Sequence, residues 1–249
     1  MMEEDFAKGS SLLHSTDPRV KIIVTFALVL MVAITDNFTV VSCALLGALA
    51  LSSFAFLPFT LVVKRLLAAN SFILFLWITL PLTYGGDPLF TAGPFSFSRE
   101  GIRLSALITL KTNTIVLTII ALLATSTIAS LGHALEGLGL PGRLSFLLLF
   151  SYRYIFVIYQ EYLRLVRAAQ MRCFQPSTTI HTYKTFAYLF GMTLVKSYNR
   201  GARIHQAMLL RGFNGHLIPL SHHKITHVDI IFLITGLTAT TGLAFLHFT

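Results

Sequence analysis

The sequence has 249 residues, of which 55% are hydrophobic and 12% charged, and its mean hydropathy is +0.74. A soluble domain carries about 25% charged residues, so this composition excludes an ordinary soluble protein and indicates that a lipid bilayer surrounds much of the chain. The net charge is nevertheless +9. The two cysteines, Cys43 and Cys173, have neither the spacing of a metal site nor that of a disulfide framework.

Five apolar segments have the length of a transmembrane helix, which needs about 20 residues because each residue adds about 1.5 Å. The first begins at Asp17-Pro18, where Asp is a good N-cap and Pro suits the first helical position, and it ends at Thr35. The other four are predicted at residues 39–57, 66–82, 101–128 and 228–248. Lys64 and Arg65 are predicted to separate the second segment from the third.

The distribution of basic residues predicts the orientation. Residues 84–98 contain three Gly and two Pro, which break helices, so a loop is predicted there. Residues 143–224 contain 11 Lys and Arg and a single acid, Glu161. With this segment in the cytoplasm, 16 of the 19 basic residues lie on one side of the membrane, as the positive-inside rule requires. We therefore expect a multi-pass protein of the cell (inner) membrane.

The basic segment is predicted to be helical. Apolar residues recur at helical spacing from Ile155 to Val166 and again over residues 182–210, and Gln175-Pro176-Ser177 separates the two stretches. The fold class is therefore predicted as all-α, with about five transmembrane helices plus long cytoplasmic helices. Three regions are expected: a tail with four transmembrane helices (1–131), a cytoplasmic helical region (132–225) and a last transmembrane helix (226–249). Residues 144–158 are apolar enough to enter the membrane, so the number of spans stays open.

Both helices of the basic segment end in one pattern, a basic residue followed by a small residue and Phe. The two ends are Met171-Arg172-Cys173-Phe174 and Leu210-Arg211-Gly212-Phe213. A structural interpretation is available, because Gly is favoured just past a helix end and Arg complements the helix dipole there. The repetition within one basic segment favours a docking function, since a guanidinium can pair bidentately with carboxylates.

Over about residues 11 to 217 the sequence resembles the transmembrane T component of energy-coupling factor transporters, and it is most similar to the CbiQ-type subunit of cobalt transporters. Three stretches carry the resemblance: His14-x-x-Asp17-Pro18-Arg19-x-Lys21, Ser151-Tyr152-Arg153-Tyr154, and Ala207-Met208-Leu209-Leu210-Arg211-Gly212-Phe213. The Arg-Gly-Phe ending and the helix before it are specific for this family only in combination, since either feature alone is a weak signal.

The resemblance implies a complex with two ABC-type ATPase subunits and a substrate-binding membrane subunit (CbiM-like). It also implies that the two cytoplasmic helices are coupling helices, each ending in a small residue, Arg and Gly, with the Arg docked in a groove of one ATPase. The matching positions are Arg172 and Arg211. The first end departs from this pattern at Met171 and Cys173, and the second has Leu210 in place of Ala but keeps Gly212.

The sequence favours a non-catalytic transport subunit. It contains no GxxxxGK[ST] stretch to cradle nucleotide phosphates, so a partner must supply the energy. A membrane-embedded enzyme would need clustered Asp, Glu or His within the spans, which hold almost none. We expect no catalytic residues, cofactor, metal site or nucleic-acid partner, only the lipid bilayer and the partner subunits. The alternatives left open are a T component for nickel or vitamin uptake and a secondary transporter.

Three lesser features carry weaker expectations. His222, His223 and His227 are closely spaced, without a carboxylate or Cys partner, and favour a polar loop over a metal site. Lys111, within the fourth span, is a functional candidate, but a lysine near the outer end of a span more often snorkels to the surface. A run of small residues in the second span is expected to pack partly against a neighbouring helix: Cys43, Ala44, Gly47, Ala48 and Ser52.

Overall fold

Helices dominate the computed structural model, which describes residues 9, 11–84, 88–92, 95–213 and 226–248. The described part contains nine helices: α1 (Leu12–Ser15), α2 (Pro18–Ile34), α3 (Phe38–Phe54), α4 (Phe59–Thr83), α5 (Arg99–Leu122), α6 (Ile128–Gly137), α7 (Gly142–Met171), α8 (Ile180–Leu210) and α9 (His227–Phe248). The predicted all-α class is confirmed. As predicted, α2 begins at Pro18, and the side chain of Asp17 caps it by accepting the Arg19 N–H at 2.9 Å.

Four helices are long and apolar enough to cross a membrane, namely α4, α5, α7 and α9 within the described residues. The apolar helix α3 has 17 residues, a little short of that length. These helices confirm a multi-pass helical membrane protein. The inclusion of α7 agrees with the apolar character of residues 144–158, which left the number of spans open.

Two predicted boundaries are wrong. Lys64 and Arg65 do not separate two segments, because both lie inside α4, which begins at Phe59. Lys and Arg are good helix formers, so a pair of charges alone does not end a helix. The fourth predicted segment, 101–128, ends early, at Leu122, and is followed by a turn in which the Ser126 N–H donates to Leu123 O at 3.0 Å. Thr127 starts the next helix, α6, by accepting the Ser130 N–H at 3.2 Å.

The Gly- and Pro-rich stretch between α4 and α5 contains a short β-hairpin. Its strands are β1 (Pro88–Ala92) and β2 (Phe95–Ser98), which pair antiparallel with Phe90 opposite Phe97 and an irregularity between Pro88 and Phe90. The described residues of this stretch are not helical, as predicted, but backbone pairing makes them a hairpin rather than an irregular loop.

The described residues divide into two compact units, one of residues 132–213 and one of the residues before and after that range. In the larger unit, α5 packs against α2, α3 and α4, and α9 packs against α2. Two small cores hold this unit together: Ala48, Val62, Leu117 and Ile120 in one, and Leu13, Val20, Val24, Ala55 and Leu122 in the other. The α2–α9 approach requires glycine, since a Cβ at Gly236 would lie 2.7 Å from Val24 Cγ1.

The small residues of α3 behave in two ways. Ala44 and Ala48 are buried, and Ala48 contacts the core around Leu117. Cys43 and Gly47 are exposed, and a Cβ at Gly47 would meet no atom within 4 Å. Only one side of the predicted small-residue face therefore packs against neighbouring helices.

Candidate functional site

The smaller unit is built around α7 and α8, which run antiparallel. Aromatic pairs mark their contact at both ends and near the middle: Phe146 with Phe213, Tyr162 with Phe190, and Phe174 with Phe186, with ring centroids 4.9, 5.0 and 5.7 Å apart. The end of α8 therefore lies beside the beginning of α7, and the end of α7 lies beside the beginning of α8.

One carboxylate joins the two helices near their middle. Glu161 of α7 accepts from Lys196 Nζ at 2.8 Å and from Arg200 Nη2 at 3.4 Å, both on α8, and it pairs with Arg164 of its own helix at 2.7 Å. Its side chain is only 11% exposed. A well-shielded carboxylate surrounded by three cations is strongly held by charge-assisted hydrogen bonds. Sequence reasoning counted Glu161 as the one acid of this segment but assigned it no role.

The first predicted site lies where α7 ends. Arg172 is the C-cap residue, and Cys173 has φ +62° in the left-handed region. The Cys173 N–H donates to Gln170 O at 3.0 Å, and the Phe174 N–H donates to Ala169 O at 3.1 Å. These two bonds form a Schellman motif, which satisfies carbonyl groups that a helix end leaves open.

The second predicted site, where α8 ends, has the same geometry. Arg211 is the C-cap residue, and Gly212 has φ +78°. The Gly212 N–H donates to Leu209 O at 3.0 Å, and the Phe213 N–H donates to Met208 O at 3.0 Å. The position of Gly212 just past the helix end was expected from the sequence. The equivalent turn at the first end could not be read from it, because Cys is not a typical left-handed residue.

All six predicted site residues are exposed: Met171, Arg172, Cys173, Leu210, Arg211 and Gly212. Met171 is 81% exposed and Leu210 is 90% exposed. Each helix end thus presents an apolar side chain next to a guanidinium, which is a chemistry suited to a groove with apolar walls and a carboxylate. We call these two ends tip 1 (Met171–Phe174) and tip 2 (Leu210–Phe213).

The structure does not bring the two tips together. Tip 2 lies beside Phe146 near the start of α7, whereas tip 1 lies past the end of α7. At about 1.5 Å per residue, the helix between residues 146 and 171 separates the tips by roughly 40 Å. This arrangement suits two separate binding partners, or two copies of one partner, better than a single pocket.

The N-terminal signature forms a buried polar cluster in the larger unit. Lys21 is fully buried, and its Nζ donates to Ser126 Oγ at 2.7 Å. The Asp17 N–H donates to Asp229 Oδ1 at 2.8 Å, and the other oxygen of Asp229 accepts the Thr226 N–H at 2.7 Å. These contacts tie the start of α2 to the start of α9 and to the break after α5. Asp17 and Lys21 of the signature therefore have structural contacts, and Asp229 caps the start of α9.

Two other predicted candidates have different outcomes. Lys111 lies midway along α5 and donates to Ala33 O and to Asp36 Oδ1, each at 3.0 Å, so it binds the C-terminal end of α2 where a cation is favourable. His222 and His223 lie outside the described residues. Within the described residues no three His, Cys, Asp or Glu side chains are grouped so as to hold a metal ion.

Comparisons with known proteins give a consistent picture. The family model described as "CbiQ: Cobalt transport protein" matches residues 9–221. The energy-coupling factor transporter transmembrane protein EcfT of Leuconostoc gelidum subsp. gasicomitatum is 27% identical over 245 residues, covering 92% of this chain and 91% of its own. EcfT of Bacillus subtilis is 26% identical, covering 84% and 83%. The nickel permease LarQ of Lactiplantibacillus plantarum is 33% identical over 84 residues, covering 34% and 30%.

Proposed function

Because the chain belongs to the CbiQ family of cobalt transport proteins and is a transmembrane T component of an energy-coupling factor transporter, we propose that it transmits ATP-driven motion to a substrate-binding membrane subunit in an importer for cobalt. The motion comes from two ABC-type ATPase subunits. The single observation that carries this proposal is the presence of two geometrically equivalent Arg-bearing helix ends, tip 1 and tip 2, at opposite ends of one antiparallel helix pair.

The proposed coupling rests on stiffness. The helices that bear the tips have 30 and 31 residues, and Glu161 fastens them to each other through Lys196 and Arg200. A force applied at tip 1 or tip 2 therefore acts on a pair of long helices joined by ion pairs rather than on a flexible loop. In this proposal Arg172 docks on one ATPase subunit and Arg211 on the other, so that ATPase closure changes the angle between α7 and α8.

The proposed partners follow from the family and from the sequence. The chain has no phosphate-cradling GxxxxGK[ST] stretch, and a subunit of this kind depends on others for ATP hydrolysis. In the proposed assembly, residues 132–225 form the cytoplasmic coupling region, and residues 1–131 and 226–249 form the membrane part. Cobalt is proposed because the family model is described as a cobalt transport protein.

The coupling proposal is tested by charge reversal. The double variant Arg172→Glu/Arg211→Glu should lose co-purification with the ATPase subunits by at least about tenfold, because a reversed charge in a docking groove meets like charge. The matched control, Arg167→Glu/Lys184→Glu, reverses two exposed charges on the same helices that belong to neither tip. Equal ATPase recovery from both double variants would refute docking through the tips.

The orientation is tested with the chain's own cysteines. Cys173 lies at tip 1 and is exposed, and Cys43→Ser leaves it as the single thiol of the sequence. A membrane-impermeant maleimide should label this variant in inside-out vesicles and not in intact cells. Labelling of intact cells would place tip 1 where no cytoplasmic ATPase reaches it.

Nickel is a second candidate substrate, because the nickel permease LarQ is 33% identical over part of the chain. The reconstituted complex should hydrolyse ATP faster with Co²⁺ outside than with Ni²⁺ or with a vitamin. Stimulation by Ni²⁺ alone would replace cobalt by nickel and leave the coupling proposal intact. Stimulation by a vitamin alone would assign the chain to the vitamin-transporting type.

A further inference from the structure

A basic groove lies between α7 and α8, and its lining ends about one helical turn before tip 2. Its volume is about 470 Å³. Three arginines and one tyrosine form its polar wall, and three apolar residues form the rest: Arg153, Arg200, Arg203, Tyr154, Val157, Ile204 and Ala207. The sequence placed Arg153 in a stretch that resembles the family and singled out no role for Arg203.

The groove has more positive charge than its surroundings neutralise. Glu161 is the single acid of residues 143–224, and its closest partners are Arg164 at 2.7 Å and Lys196 at 2.8 Å. Arg200 reaches it only at 3.4 Å. In the described part of the chain Arg153 and Arg203 have no carboxylate partner. Converging guanidinium groups without a counter-charge bind anions, above all phosphate.

The surroundings of the groove indicate which phosphate. Phe146, Phe150 and Tyr154 stack in succession along α7, with centroids 5.4 and 4.3 Å apart, and lead from the apolar start of the helix to the groove. On the same face of α7, Leu147 lies two turns before Tyr154 and Ile158 lies one turn after it. Their side chains are 54% and 38% exposed. Helix α7 is also apolar enough to lie in a membrane. Tyrosine next to exposed aliphatic side chains and arginines is typical of the headgroup level of a bilayer.

We propose that the groove binds the phosphate headgroup of an anionic phospholipid. Arg153, Arg200 and Arg203 hold the phosphate, and the acyl chains lie along the exposed apolar face at the start of α7 that includes Leu147. Basic pockets between helices at the cytoplasmic side of a membrane are suited to such headgroups. The site shares no residue with tip 1 or tip 2, so it stands or falls independently of ATPase docking.

The test uses the full-length protein in detergent, titrated with phosphatidylglycerol or with phosphatidylcholine of the same acyl chains. Native mass spectrometry counts bound lipid. The wild type should prefer phosphatidylglycerol by about tenfold. Arg153→Gln/Arg203→Gln should abolish the preference, and Arg167→Gln/Lys184→Gln, which removes the same charge from exposed positions on the same helices, should keep it within about twofold. Equal preference in the two double variants would overturn the site.

Three further measurements distinguish a phospholipid from the other ligands that the groove could bind. Arg153→Lys/Arg203→Lys retains the charge and should keep part of the preference, which also shows that loss in the Gln variant is not misfolding. Inorganic phosphate that displaces phosphatidylglycerol at equal concentration would assign the groove to a free anion and overturn the lipid proposal. Loss of ATPase co-purification in the Gln variant with lipid preference unchanged would assign it to an acidic protein segment, again overturning the proposal.

Discussion

Tip 1 and tip 2 have the same backbone geometry but are built from different residues. Arg172 and Arg211 both cap their helices at φ −93°, and the next residue of each tip is left-handed. At tip 2 that residue is Gly212, which adopts this conformation without strain, whereas at tip 1 it is Cys173, for which the conformation is costly. The turn at tip 1 therefore forms in spite of a local strain at Cys173 that glycine would avoid.

The largest expected effect concerns the arginines one at a time. If the tips are equivalent docking points, Arg172→Glu and Arg211→Glu should each lower ATPase association by about tenfold, and the complex should retain one ATPase subunit. Native mass spectrometry of the purified complex measures that stoichiometry. Loss of both ATPase subunits from one single variant, with no effect of the other, would break the equivalence.

A smaller effect on both tips is expected from loss of the ion pairs that join Glu161 of α7 to Lys196 and Arg200 of α8, which we call the brace. Glu161→Gln leaves Lys196 and Arg200 close together without a carboxylate, so the α7–α8 pair should be less stable and Tm should fall. Because the brace lies between the tips, ATP hydrolysis should become uncoupled from substrate uptake without selective loss of one ATPase. Thermal melting and paired uptake and hydrolysis assays check this, with Gln160→Glu as a control that adds an exposed acid next to the brace. An unchanged Tm would show that the ion pairs do not hold the helices together.

The smallest expected effects are on stability and concern the residue with positive φ at each tip. Gly212→Ala should destabilise the protein by about 1 kcal/mol, because alanine is strained at positive φ. Cys173→Gly should stabilise it by about 0.5 kcal/mol, since strain is relieved but the unfolded chain gains freedom. Denaturant unfolding in detergent measures both, and equal responses of the two positions would contradict the assigned backbone geometry.

The sequence was sufficient for the features that depend on local chemistry. Capping residues and periodicity predict the start of α2 at Pro18, the end of α8 just before Gly212, and the all-α class. The sequence misled where a charge pair was taken for a helix break, at Lys64 and Arg65, since helix ends depend on capping and hydrogen bonding more than on charge.

Features that depend on tertiary contacts could not be predicted. Nothing in the local sequence around Glu161 tells that Lys196 and Arg200 will reach it, although a single acid among 11 basic residues is a signal that it has a particular partner. The separation of the tips to opposite ends also follows only from the antiparallel packing of α7 and α8. The sequence predicted which residues stand at the two helix ends, but not how the ends are arranged.

The most direct test of coupling is a crosslink from each tip in the intact complex. A photo-reactive benzoylphenylalanine replaces Met171 or Leu210, both highly exposed next to the arginines, and Tyr198, 78% exposed midway along α8 and far from both tips, serves as the control position. We predict that positions 171 and 210 each crosslink to an ATPase subunit and that position 198 does not. Crosslinking to the ATPase from position 198 but from neither tip would contradict the proposed coupling.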